Sequence, residues 1–174
     1  MTRAIVSITF LYEPREDRIA AAVNPGRPDA WSCWLTRRVA LALLGRMPEF
    51  LNSTSQLAKR APAQMRGEFT QFEREAAIAK TAGAMSVTPP EILKSSASAA
   101  ELIDRVSITP QGENFRLELY GLSGDGAASG LSRAELQRIL QMLQGVVAKA
   151  GWLGPAPAPS PAASAETNTR PSRH

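Results

Sequence analysis

The chain has a single histidine, and it is the last of 174 residues, His174. Every segment that reads as folded therefore lacks an imidazole. That absence excludes Ser-His-Asp and Cys-His nucleophilic catalysis and removes the usual nitrogen ligand of zinc and iron sites. Cysteine is as scarce, with Cys33 alone, inside Trp31-Ser32-Cys33-Trp34. No intrachain disulfide can form, thiolate metal clusters are excluded, and the apolar setting predicts an inert, buried thiol. Neither a metal nor a cofactor is expected. No run of 18 apolar residues occurs, so no membrane span and no membrane partner are expected. Residues 1–12 alternate like a strand and lack the basic, apolar and small-residue order of a secretory leader. A cytoplasmic protein is the expectation.

Charge excludes less. The formal net charge is +4, from 20 basic and 16 acidic residues, which is low for a protein that coats nucleic acid. The basic set is 16 Arg against 4 Lys. Arginine favours bidentate recognition of phosphate and carboxylate and stacking on aromatic rings, although a GC-rich coding sequence produces the same bias.

What is present reads as one small α+β domain over 1–153, followed by a Pro/Ala-rich tail over 154–174 that is expected to be disordered. Ten of the twenty residues from Pro155 to His174 are Pro or Ala, and no periodic apolar face offsets the entropy of ordering them. Inside the domain two segments repeat an order of hairpin, loop and helix, over 4–52 and 105–150. In the first, Val6, Ile8 and Phe10 alternate with polar positions, Glu13-Pro14-Arg15-Glu16-Asp17 makes a turn, and Arg18–Val23 returns as an alanine-rich strand. Trp31–Leu35 then leads into a helix from Arg37, which Pro48 is expected to kink or end. In the second, Val106–Thr109 and Phe115–Tyr120 flank the turn Pro110–Asn114. The Gly-rich stretch 121–130 reads as a flexible connection, and a helix runs from Arg133 to about Lys149. Leu35-Thr36-Arg37 aligns with Leu131-Ser132-Arg133, each with a hydroxyl at the N-cap. Ser132 with Glu135 forms a capping box. The fold expected is a small antiparallel sheet from two β-hairpins, each followed by an amphipathic helix, with a helical insert over 57–104. Thr88-Pro89-Pro90-Glu91 and Ser98-Ala99-Ala100-Glu101 read as capping boxes that open short helices in that insert.

Two constellations stand out. Thr36, Arg37 and Arg38 set a hydroxyl and two guanidiniums at a helix N-terminus, where cations are unfavourable unless an anion joins them. Arg133 offers a similar arrangement in the other half. Stacking on Trp31 or Trp34, or pairing with Glu13, Glu16 or Asp17, would also occupy these arginines. In the insert, Met65, Phe69 and Phe72 follow a narrow helical stripe that would pack either on the domain's own sheet or against a partner. Gly124-x-Gly126-x-x-x-Gly130 misses the dinucleotide fingerprint by one residue, and no Gly-Lys-Ser/Thr follows. The carboxylate pairs Glu73/Glu75 and Glu16/Asp17 share no apolar environment and read as solvated surface. Trp152 reads as a plug at the domain's end.

The missing catalytic residue types, the apolar stripe and the tail together point to a non-enzymatic protein-binding or scaffold protein that self-associates as a homodimer. The alternative is a nucleic-acid-binding module using Arg37, Arg38 and Arg133, with Arg18, Arg46 or Arg138 beside them.

Overall fold

The computed structural model describes residues 1–55, 62–65, 68, 71, 72, 75, 76, 79 and 88–154. Its strands are β1 (Thr2–Ala4), β2 (Ile8–Glu13), β3 (Arg18–Val23), β4 (Trp31–Leu35), β5 (Glu101–Gln111), β6 (Asn114–Gly121) and β7 (Gly126–Leu131). Its long helices are α1 (Arg37–Thr54) and α3 (Arg133–Lys149), with the shorter α2 (Pro90–Ser98) and a 3-10 turn at Ala63–Met65 between them.

The strands form one seven-stranded mixed sheet in the order β1-β7-β6-β5-β4-β3-β2. This corrects the expectation of a small antiparallel sheet from two hairpins. Each half is a three-stranded antiparallel meander followed by its helix, and the meanders join through parallel pairing of Cys33 with Glu101 and Trp34 with Leu102.

The missed strands have a common cause. Trp31–Leu35 is buried almost throughout and does not alternate. Gly126–Leu131 is built of Gly, Ala and Ser, residues of poor strand propensity, and is held in place by β6 on one side and β1 on the other. Ser98-Ala99-Ala100-Glu101 does not open a helix, because β5 begins at Glu101. The N-cap of α2 is Pro89, with no side-chain cap, so Thr88 does not act as one. Helix α1 continues past position 48 to Thr54. Val6 stands outside β2, 63% exposed. The tail 155–174 lies outside the described residues.

Strands β1 and β2 sit at opposite ends of the sheet yet are separated by only residues 5–7. Seven flat strands would hold their outer members about 29 Å apart, whereas the step from Ala4 to Ile8 reaches about 14 Å at most. The sheet therefore curls until its two ends nearly meet. Helices α1 and α3 share one face of it and α2 lies on the other, against β3 and β4.

The two halves place matching positions in the core. Ile19 is opposite Leu35 in the first meander, and Phe115 is opposite Leu131 in the second. Ala40, Met47 and Leu51 of α1 are buried, as are their counterparts Leu136, Leu143 and Val147 of α3. Side chains from both halves line a void of about 30 Å³, among them Phe10, Leu35, Leu43, Ile108, Leu117 and Leu140.

One counterpart breaks the pattern. Gln137 stands where α1 has Leu41, is 3% exposed, and leaves both its amide nitrogen and oxygen without a partner among the described residues.

The buried polar residue Asn24 is satisfied throughout. It sits in the left-handed region with φ 51° and is fully buried. Its Oδ1 accepts from the N–H groups of Val6 (2.9 Å) and Ser7 (3.1 Å). Its Nδ2 donates to the Ala4 carbonyl (2.7 Å) and to Asp29 (2.8 Å). One side chain thus fixes the sharp passage from β1 to β2.

Asn24→Ala strands these buried groups and is expected to lower the unfolding free energy by about 3 kcal/mol in urea titrations. Gln137→Leu removes an unsatisfied amide and is expected to raise it by about 1–2 kcal/mol in the same assay.

Candidate interaction surfaces

The two helices run antiparallel, and each begins beside the other's end. Thr36 caps α1, with its Oγ1 accepting from Val39 N at 3.4 Å. Ser132 caps α3 in a complete capping box with Glu135. The Arg37 guanidinium reaches across to donate to the Trp152 carbonyl, just beyond α3, at 3.4 Å. Arg133 makes the reciprocal contact, donating to the Leu51 carbonyl (3.1 Å) and Thr54 Oγ1 (3.0 Å) near the end of α1, with its guanidinium over the Phe115 ring.

Thr36, Arg37 and Arg38 therefore stay together at one end of α1, and Arg133 lies at the other. The ends are about 21 Å apart by helix rise from Arg37 to Leu51. Arg38 is exposed. Of the apolar stripe, Met65 is 44% and Phe72 66% exposed, while Phe69 lies outside the described residues.

Trp152 is buried, at 4% exposure, and forms a polar clasp. Its indole N–H donates to Asp17 Oδ1 at 2.9 Å, Tyr12 donates its hydroxyl to the same oxygen at 2.9 Å, and the two rings meet edge to face at 5.8 Å. The hydrogen bonds from Trp152 and Tyr12 hold the Asp17 carboxyl below the ordinary aspartate value. Partial burial opposes them and the Arg37 charge assists them. The read of Glu16 and Asp17 as plain solvated surface missed this use of Asp17, because Trp152 lies 135 residues away.

A second carboxylate also escaped sequence reasoning. Glu101 accepts from Trp31 Nε1 (2.8 Å), Ser123 N (2.8 Å) and Ser123 Oγ (2.9 Å), tying β4, β5 and the β6–β7 turn together. Burial pushes its pKa up, and these three donors outweigh burial and the Asp125 charge to leave it lowered. A side chain at Gly121 would collide with the Glu101 carboxylate. That glycine, at the end of an otherwise alternating strand, is the one signal of the contact in the sequence. Beneath lies Cys33, whose thiol is pushed up to about 12 by burial and by the Glu101 charge, so it is not a nucleophile at neutral pH.

Two surfaces among the described residues are candidates for contact with a partner. A cleft of about 580 Å³ runs between the β3–β4 loop and α2, lined among others by Arg27, Trp31, Ser32, Glu91, Ile92 and Ser95. The other is the free edge of β2. Asn24 N donates to the Ser7 carbonyl at 2.9 Å, which sets the phase of the β2–β3 ladder. Thr9 and Leu11 then exchange bonds with Ala22 and Ala20, and the backbone groups of Ile8, Phe10 and Tyr12 point away from β3. Among the described residues they meet no backbone partner.

Among the described residues, no three His, Cys, Asp or Glu side chains gather closely enough to hold a metal ion, and no helix is long and apolar enough to cross a membrane. The chain matches no family model, no curated protein and no solved structure.

Because the folded pKa of Asp17 is depressed, its contribution to stability is complete above the unfolded value and is lost as pH falls through the folded one. Acid unfolding followed by tryptophan fluorescence is expected to lose stability below about pH 4. Asp17→Asn is expected to be less stable at pH 7 and to lose less on acidification.

Proposed function

We propose that the chain is a non-enzymatic, self-associating protein-binding module of the cytoplasm, and that it binds through the edge of β2. The observation that carries this reading is the contrast among its free strand edges. Exposed edges invite pairing with another chain, and proteins normally blunt them with short strands, charges or proline. The β1 edge has three residues, one of them Arg3. Strand β5, which pairs with β4 only at Glu101 and Leu102, carries Asp104, Arg105 and Pro110 along the rest of that side. The β2 edge has no charge and no proline from Ile8 to Tyr12. The single histidine at position 174 and the unreactive Cys33 support a non-catalytic role.

The nucleic-acid reading has no observation of its own in its favour, since the Arg37 and Arg133 guanidiniums already donate to backbone carbonyls.

Light scattering after size exclusion tests the proposal. The wild-type chain is expected to show a mass above that of one copy, rising with concentration. Leu11→Lys, which sets a charge on the outward face of β2, is expected to shift it to the mass of one copy with its circular dichroism unchanged. A wild-type chain that stays monomeric across the whole concentration range, or one that co-purifies with nucleic acid removable by nuclease, would sink the proposal.

A further inference from the structure

The β2 edge has its own sequence to satisfy, and few partners satisfy all of it. Its outward-pointing backbone groups belong to Ile8, Phe10 and Tyr12. Pro14 follows immediately after the strand and has no N–H to offer. On the other flank, Val6 N and Ser7 N are already bound to Asn24 Oδ1. The usable edge is therefore limited to Ile8–Tyr12, with Phe10 at its centre.

Resting on the self-association reading, we propose that the occupant of this edge is a second copy of the chain. It pairs antiparallel about a two-fold axis that sets Phe10 opposite Phe10 of the second copy. A two-fold contact requires a self-complementary surface, and only one register makes this edge so. With Phe10 opposite itself, Ile8 faces Tyr12 of the second copy, and all three outward residues exchange both of their backbone bonds. With Leu11 opposite itself, Ile8 would face Pro14, which cannot donate. With Thr9 opposite itself, Tyr12 would face Val6, whose N–H is held by Asn24 at 2.9 Å.

Side chains agree with the same register. On the helix side, where Ile8, Phe10 and Tyr12 pack against the core, Phe10 meets Phe10 and Ile8 meets Tyr12, pairings of aromatic and β-branched residues that stabilise a sheet. On the opposite side Thr9 faces Leu11 and Glu13 faces Ser7, so no like charges are opposed. On that side helix α2 packs against β3 and β4. The product is one continuous sheet through both copies, with the unguarded edges consumed.

Cysteine pairing tests the register. Thr9 and Leu11 of different copies would form a non-hydrogen-bonded pair with Cα atoms about 4.5 Å apart, inside the range that a disulfide spans. A mixture of Thr9→Cys and Leu11→Cys chains is expected to give a mixed disulfide dimer on oxidation, and each variant alone is expected to give none. Cys33 is buried and takes no part. A disulfide in Leu11→Cys alone or in Thr9→Cys alone would overturn the register. A wild-type dimer with no disulfide in the mixture would overturn the edge contact while leaving self-association standing. A wild-type monomer would overturn both.

Amide exchange on the unmodified chain is a second arm that does not depend on the variants folding. The Ile8, Phe10 and Tyr12 amides are expected to exchange about tenfold or more slower when the chain is concentrated into the dimer. Exchange at these three amides that ignores concentration while the dimer persists would likewise overturn the proposal.

Discussion

The architecture turns on the reciprocal contact between the ends of α1 and α3. Each helix opens with an arginine, the wrong charge for the positive end of its own dipole. Each also ends with carbonyls that lack partners inside the helix. Laying the helices antiparallel gives each arginine a carbonyl acceptor at the far end of the other helix, while the last carbonyls of α3 accept from the N–H groups of Ala150, Gly151 and Trp152. Arg37 extends to the Trp152 carbonyl and Arg133 to the Leu51 carbonyl, so each cation lies against the negative end of the neighbouring helix. Phe50 against Phe115 and Tyr12 against Trp152 close the two ends. The crossing ties each meander to the helix of the other half.

That arrangement also explains the curl of the sheet. Helix α3 grows out of β7 at one flank and packs across β2 at the other, which requires the two flanks to approach. Asn24 holds the passage between β1 and β2 where they do. Closure by side chains rather than by strand pairing has a consequence, because the outer ladder of β2 keeps its backbone groups without a backbone partner among the described residues. The proposed interaction surface is thus a by-product of how the core is closed.

Much of the skeleton was legible residue by residue. Alternation marked β2 and β6, the hydroxyl and Glu135 marked the start of α3, and the alignment of Leu35-Thr36-Arg37 with Leu131-Ser132-Arg133 marked the matching starts of α1 and α3. Among the strands that escaped were β4 and β7. Buried on both faces, or made of Ala, Gly and Ser, they have no period of two for a reader to find. The β-sheet was consequently underestimated by the third strand of each half, and further by the three-residue β1. The sites show the same division. Arg37 and Arg133 are conspicuous because they oppose their own helix dipoles, but the groups they meet are 115 and 82 residues away.

Local chemistry alone determined the starts of the long helices and the burial of Cys33. Those follow from residue type, spacing and capping, which act over a few positions. Only the tertiary structure decided that two meanders join into one curled sheet, and that the arginines answer each other across antiparallel helices. It also decided that Asp17 and Glu101 are held as acceptors and that β2 is left as an edge. Each of these depends on groups far apart in the chain, and their energies come from burial and from partners that no short window of residues contains.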